Sequence, residues 1–378
     1  MKIATIVGAR PQFIKAAPVS RAIRASRKAV SEIIIHTGQH YDDNMSAVFF
    51  DELGIPAPDY DLGIGSASHG AQTGAMLAAI ERILEREWPD WVLIYGDTNS
   101  TLAGALAAAK MHIPVAHVEA GLRSYDRRMP EEINRVIADQ LSSALFCPSK
   151  VAAANLRKEG VHNGVYVVGD VMAEALDYAV ARAKQPGKER GREFGLGRLG
   201  VEEGPYILAT VHRAENTDDP GRLKGILAAL TRLARKQPVI FPVHPRTKKM
   251  LAKAGRRTEP TAGTAAGIRF IDPVGYLEMA RLESGAAMIL TDSGGIQKEA
   301  YWLRIPCVTL RDCTEWVETV ASGWNVLAGA DAEAIVRAAE NFVRPKKSAP
   351  LYGRGGKSAV PASRKILDIL GTHHSTPK

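Results

Sequence analysis

Three acidic motifs fall between Gly96 and Arg135: Asp97 in Y-G-D-T-N-S-T, Glu119 in H-V-E-A-G-L-R, and Glu131 with Glu132 in M-P-E-E-I-N-R. Each follows an apolar, strand-like run or opens a helix, the places where an α/β sheet presents its ligands. Carboxylates gathered there suit proton transfer. They stand against a basic background, because 49 Lys and Arg outweigh 41 Asp and Glu to give a net charge of +8.

The strongest phosphate signal is I-L-T-D-S-G-G-I-Q-K-E-A, Ile289 to Ala300. An apolar strand ends at Asp292. Ser293, Gly294 and Gly295 then let a ligand approach the backbone, and a helix begins behind them with free N–H groups and a positive dipole end. Glu299, one turn on, is placed to accept bonds from sugar hydroxyls. A plain strand-turn-helix would read the same way. V-G-A-R-P-Q-F-I-K puts Arg10 and Lys15 at the end of the first strand and one turn beyond, although a helical Lys is usually solvated. T-V-H-R-A-E-N (His212, Arg213) and F-P-V-H-P-R (His244, Arg246) supply further cations or proton donors. A lone His is commonly structural, but two such strand ends together favour ligand contact.

Pro130 suits the first position of a helix whose predicted buried stripe is Ile133, Val136, Ile137 and Leu141. Glu131 then lies with Asn134 and Arg135, away from that stripe. The helix dipole favours its ionised form, as a base requires. Glu132 fits the bland account of an acid serving the dipole alone.

These motifs are positioned by alternating short apolar strands and helical patterns. Strands are predicted at 2–7, 32–36, 91–95, 115–118, 144–147 and 165–168, and again at 206–211, 239–243, 268–271, 287–290 and 306–309. The polar stretch Ala183–Gly204 separates the two series. The expectation is α/β, with two doubly wound parallel-sheet domains, residues 1–170 and 171–356, enclosing a cleft, and a C-terminal helix and tail over 357–378. A chain of 378 residues exceeds the size of a single core. No apolar run approaches the roughly 20 residues of a membrane helix. Cys147, Cys307 and Cys313 have no paired spacing, which fits a reducing cytosol. The basic surplus is dispersed without interleaved aromatics, so small anions are expected rather than nucleic acid. No metal is expected at His36 and His40, which lack an acidic third ligand. Gly195–Gly200 matches G-x-G-x-x-G but follows no strand and is expected to be linker.

Together, G-A-R-P-Q-F-I-K, T-G-Q-H-Y-D-D-N-M, G-D-T-N-S-T, H-V-E-A-G-L-R, P-E-E-I-N-R, T-V-H-R-A-E-N, H-P-R and T-D-S-G-G-I-Q-K-E-A resemble, in order and over nearly the whole chain, the non-hydrolysing UDP-N-acetylglucosamine 2-epimerases. The resemblance implies two Rossmann-like domains of the GT-B fold, a cytoplasmic homodimer without cofactor, and interconversion of UDP-GlcNAc and UDP-ManNAc for surface polysaccharide such as O-antigen. It implies that Asp97, Glu119, Glu131 and His212 are catalytic. It implies substrate contacts at Arg10, Lys15, Gln39, Gln72, Arg135, Arg213, His244, Tyr276, Ser293, Gly294, Gly295 and Glu299.

Chemistry favours the same route. The C2 hydrogen of a nucleotide-linked amino sugar is not next to a carbonyl, so either a nicotinamide first oxidises C3 or UDP leaves as the proton is taken. The chain lacks a dinucleotide fingerprint in the required setting, which favours departure of UDP. Two departures from the family pattern, Gln12 in G-A-R-P-Q and the motif R-D-C-T-E-W-V-E (Arg311–Glu318), resemble the branch acting on UDP-2,3-diacetamido-2,3-dideoxy-glucuronate. Neutral Gln12 is expected to suit that acidic sugar. Ala71 and Asp42 occupy positions where activated members hold a second UDP-GlcNAc, so hyperbolic rather than sigmoidal rates are expected.

Overall fold

Both strand series form parallel sheets. The computed structural model describes residues 1–26, 29–38, 50, 52–184, 204–253, 267–347, 349–353 and 360–374. The chain divides into two units: Met1–Ala175 with Pro350–Lys378, and Leu176–Ala349.

In the first unit, strands β1 (Lys2–Val7), β2 (Ser31–His36), β3 (Tyr60–Asp61), β4 (Trp91–Tyr95), β5 (Val115–Val118), β6 (Ala144–Cys147) and β7 (Val165–Val167) lie in the order β3-β2-β1-β4-β5-β6-β7. The helices that follow them are α1 (Arg10–Arg24), α2 (His69–Glu87), α3 (Asn99–Lys110), α4 (Pro130–Leu141) and α5 (Lys150–Lys158), and α6 (Val171–Ala183) runs across the boundary into the second unit. Every residue of β4, β5 and β6 is buried, as expected for parallel strands covered on both faces. Strand order reverses between β1 and β4, and the segments leaving these two strands lead to Arg10, the first residue of α1, and Asp97.

In the second unit, β8 (Ile207–Thr210), β9 (Val239–Pro242), β10 (Ile268–Ile271), β11 (Met288–Thr291), β12 (Cys307–Thr309) and β13 (Asn325–Leu327) lie in the order β10-β9-β8-β11-β12-β13. The helices are α7 (Ala214–Thr217), α8 (Pro220–Leu233), α9 (Pro245–Lys253), α10 (Tyr276–Gly285), α11 (Gly294–Leu303), α12 (Val317–Ala321) and α13 (Ala332–Glu340). Here the reversal falls between β8 and β11, whose loops carry His212 and Ser293. A last helix, α14 (Ala362–His374), belongs to the first unit and packs on α1. Its start is tied down by Ser363, whose N–H donates to Glu174 at 3.0 Å.

Two edge strands, β3 and β13, were not expected from sequence; at two and three residues they carry too short a pattern. The predicted stripe of α4 is corrected. Ile133 and Ile137 are exposed, and the buried face is Glu132, Asn134, Arg135, Ala138 and Asp139. Gly195–Gly200, Gln39, His40 and Asp42 lie outside the described residues.

Burial raises the carboxyl pKa of Glu32 on β2, even though Thr5 Oγ1 donates to it at 2.6 Å. The folded chain therefore holds this proton more tightly than the unfolded chain. Stability associated with it is complete below the ordinary carboxylate range and is lost as pH rises through the folded value. Glu32→Gln is accordingly expected to raise Tm more at pH 8 than at pH 5, which paired thermal melts would check.

Candidate functional site

In the first unit, the three predicted acids sit on the loops and helix that follow β4 and β5. Glu119 is buried and adopts φ +72, a left-handed conformation uncommon outside glycine. That strain is held by the backbone, since the N–H groups of Glu119 and Ala120 both donate to the Phe146 carbonyl at 3.1 and 3.2 Å. Lys15 Nζ donates to the Glu119 carboxylate. Lys15 is buried on α1 and is an internal counterion, not the solvated helix residue its type suggests. Gly96 is required beside this pair: it has φ +61, and a Cβ there would lie 2.9 Å from Lys15 Nζ and 3.4 Å from Glu119 Oε2.

Asp97, about a third exposed at its side chain, accepts from Arg135 of α4. The same guanidinium donates to Glu132 at 3.0 Å. Asn134 Nδ2 donates to the Asp97 carbonyl at 3.0 Å and to Asn99 Oδ1 at 3.2 Å. Asn99 in turn donates to Gln72 at 2.8 Å, and Gln72 donates to the Gly65 carbonyl at 2.9 Å. Gln72 thus holds the Asp97 loop at second hand. Glu131, on the first turn of α4 and half-buried, has no hydrogen-bond or ion-pair partner among the described residues. Two acids are neutralised by fixed cations and one is not. That asymmetry suits a site in which the carboxylates have different roles in acid–base chemistry.

Glu132 serves more than the dipole. Its carboxylate accepts from the Ser124 N–H and hydroxyl at 2.9 Å and from the Tyr125 N–H at 3.0 Å, fixing the loop after Glu119. Gln12 is also corrected. It is fully buried; its oxygen accepts from the N–H groups of Gly8 (2.9 Å) and Ala9 (3.1 Å), and its amide donates to the Tyr95 carbonyl (3.0 Å) and Thr101 (3.1 Å). With all of these bonds made internally, it does not select a substrate by its neutrality. Gln12→Glu would set a carboxylate oxygen against the Tyr95 carbonyl. A loss of about 1–3 kcal/mol is expected, to be read from denaturant unfolding.

In the second unit, Ser293 caps α11 and accepts from the Ile296 N–H at 3.5 Å. Gly294 and Gly295 open the helix, and the Arg213 guanidinium comes within 4.0 Å of where a Gly294 Cβ would stand. These are free N–H groups, a dipole end and a cation at one helix start, the parts of an anion seat. Buried Asp292 orders the facing turn by accepting the N–H groups of His212 and Arg213 at 3.0 Å and Asn216 Nδ2 at 3.1 Å. His212 Nδ1 lies 3.4 Å from Asp292, and its ring is 5.5 Å from that of exposed His244. Tyr276 and Glu299 are both buried and joined at 2.9 Å, so Glu299 meets this hydroxyl as well as any sugar. Arg10 is half-exposed at the start of α1.

Sequence reasoning missed Asp292, Asn134 and Asn99 as supports, and the place of Trp316 beside the α11 start. Trp316 Nε1 would stand 3.0 Å from a Gly294 Cβ, and buried Lys298 lies 3.8 Å from the centroid of its ring. Among the described residues, no group of three or more His, Cys, Asp or Glu is arranged to hold a metal ion. None of their helices is long and apolar enough to cross a membrane.

Residues 21–371 match the family model described as UDP-N-acetylglucosamine 2-epimerase. A UDP-N-acetylglucosamine 2-epimerase homolog of Methanococcus maripaludis is 53% identical over 372 residues, covering 98% of this chain and 99% of its own. A UDP-2,3-diacetamido-2,3-dideoxy-D-glucuronate 2-epimerase of Pseudomonas aeruginosa is 50% identical, with 98% and 99% covered. The crystal structure of Methanocaldococcus jannaschii UDP-GlcNAc 2-epimerase in complex with UDP-GlcNAc and UDP superposes with a TM-score of 0.87 at 43% identity, covering 98% of this chain and all of that one. With two parallel-sheet α/β units, the acids after β4 and β5 and the helix start after β11, the chain is a GT-B-like enzyme that belongs to the UDP-N-acetylglucosamine 2-epimerase family.

Proposed function

We propose that the chain inverts C2 of a UDP-linked N-acetyl amino sugar, interconverting UDP-GlcNAc and UDP-ManNAc by elimination and re-addition of UDP. The observation that carries this is the acid set of the first unit: Asp97 and Glu119 each held by a cation, and Glu131 held by none among the described residues. In the forward step the C2–H bond breaks to a carboxylate and the C1–O bond breaks toward UDP, leaving a 2-acetamidoglucal. Negative charge then collects on the β-phosphate, where the α11 start, Arg213 and His212 would stabilise it. A proton added to the opposite face of C2, with UDP re-adding at C1, completes the inversion. Glu131 would take the C2 proton on one face, and Asp97 or Glu119 would deliver a proton to the other, with Arg135 and Lys15 as their fixed counterions. His244, Tyr276 and Glu299 would contact the nucleotide.

The Pseudomonas relative supports a second substrate, UDP-2,3-diacetamido-2,3-dideoxy-glucuronate, for the same chemistry. Incubation with each sugar in D2O, followed by proton NMR, tests both readings. One deuterium at C2 of both epimers is expected; binding without turnover, or transfer of the sugar to an acceptor, would overturn the proposal.

The enzyme is further proposed to work in the cytoplasm, in surface polysaccharide synthesis such as O-antigen, where nucleotide sugars are made and its three free cysteines stay reduced. Homodimer formation would cover the apolar face that α4 exposes at Ile133 and Ile137. Absence of activation by a second UDP-GlcNAc, read at Ala71 and Asp42, is expected as hyperbolic initial rates; sigmoidal rates would count against it.

A further inference from the structure

His117 has no part in the chemistry described above, yet it lies at the centre of the elements that carry it. It sits on β5, two residues before Glu119, and is wholly buried. One ring nitrogen, Nε2, is 2.8 Å from the carbonyl oxygen of Gly96, the residue before Asp97. The other, Nδ1, is 2.8 Å from the carboxylate of Asp139, which lies on α4 two turns beyond Glu131. Asp139 is fully buried as well. It accepts from the Gly121 N–H at 3.1 Å, in the turn after Glu119, and from Arg123 Nη1 at 2.7 Å. Arg123 continues outward to Glu159 at 2.7 Å.

Both neighbours of the ring are acceptors. A carbonyl oxygen has no proton to give, and a carboxylate held by Arg123 and a backbone N–H is acceptor-only. A neutral imidazole has one donor nitrogen and one bare nitrogen, so in this setting it would turn a lone pair on a buried oxygen at 2.8 Å. With both nitrogens donating, every contact is a hydrogen bond and the positive ring is balanced by Asp139.

We propose that His117 is a positioning residue for the acid set: a doubly donating, positively charged ring that fastens together the Gly96–Asp97 turn, the strand and turn bearing Glu119, and the helix bearing Glu131. Each acid lies a short stretch of chain from His117 itself or from a residue that its ring contacts. Asp97 follows the Gly96 carbonyl, Glu119 lies just past the end of β5, and Glu131 shares α4 with Asp139. A ring that grips all three sets their mutual spacing. The kinetic arm of this inference rests on the epimerase reading; the structural arm does not.

Neutron diffraction from crystals grown in D2O tests the structural arm directly. Deuterons on both Nδ1 and Nε2 of His117 are expected, and a bare ring nitrogen would overturn the proposal. The kinetic arm uses His117→Leu and His117→Gln, assayed at a temperature where both are fully folded. Displacement of acids by about an ångström costs on the order of 10²-fold in rate. A fall of that size in kcat is therefore expected for the Leu variant, while UDP affinity, read by calorimetry, stays within about threefold because the proposed anion seat belongs to the second unit. Gln, which keeps a donor for the Gly96 carbonyl, is expected to recover part of kcat. Wild-type kcat in the Leu variant, or kcat and UDP affinity falling together, would overturn it. Should the wild-type enzyme turn over no UDP-sugar, the functional reading fails while the deuteron positions still decide the ring's state.

Discussion

Glu131→Gln is expected to lower kcat by about 10²–10⁴-fold, the usual contribution of a positioned general base, while leaving the melting temperature close to wild type. The two outcomes go together because the carboxylate has no internal partner among the described residues. Its removal costs the fold little beyond a weak interaction with the dipole of α4, worth a few tenths of a kcal/mol. KM is expected to change little if Glu131 acts mainly in the transition state. Steady-state kinetics with the preferred UDP-sugar, combined with a thermal melt, would check both halves. A Gln variant that keeps wild-type kcat would remove Glu131 from the chemistry.

Glu119→Gln is expected to lose both activity and stability. The amide cannot neutralise Lys15, and removing one partner of a buried ion pair typically costs about 3–5 kcal/mol. The position also carries a strained backbone that the native contacts must hold in place. A fall in kcat comparable to that of Glu131→Gln, with a melting temperature many degrees lower, is the expected signature. Lys15→Met in the same background is expected to recover stability without activity, since the orphaned charge is then gone. A Glu119→Gln protein as stable as wild type would mean that the Lys15 contact is not a buried counterion pair.

The sheets were legible in the sequence for a physical reason. Parallel strands covered on both faces are largely apolar, so β4 and β6 stand out as unbroken runs and β1, β5, β8 and β11 as runs with only one or two polar residues. β3 and β13 add only a few residues at sheet edges and leave no such trace. The placement of several motif residues just after strands at a reversal of strand order was also legible, because such strand ends are where α/β sheets commonly meet ligands. Their partners were not. Lys15 finds Glu119 104 residues away, and Gln12 finds the Tyr95 carbonyl 83 residues away. Local pattern cannot tell a Lys destined for such a partner from one destined for water.

Helix α4 failed for the opposite reason. Periodicity assumes that the apolar stripe is the buried one, but here the polar stripe is folded inward. Glu132, Asn134, Arg135 and Asp139 are buried because they have loops, acids and His117 to hold. The apolar residues Ile133 and Ile137 are left outside in the single chain. A helix whose polar face is the buried one is itself a sign that the face has a chemical task.

The central claim is that UDP leaves the sugar and returns to it during each inversion. Substrate carrying ¹⁸O in the bridge between C1 and the β-phosphate tests this most directly, with positional exchange followed by ³¹P NMR. Once freed, the β-phosphate can rotate, so the label is expected to spread from the bridge into the non-bridging positions as epimerisation proceeds. Inversion at C2 with all of the ¹⁸O still in the bridge would mean that the C1–O bond never breaks, and would contradict the account.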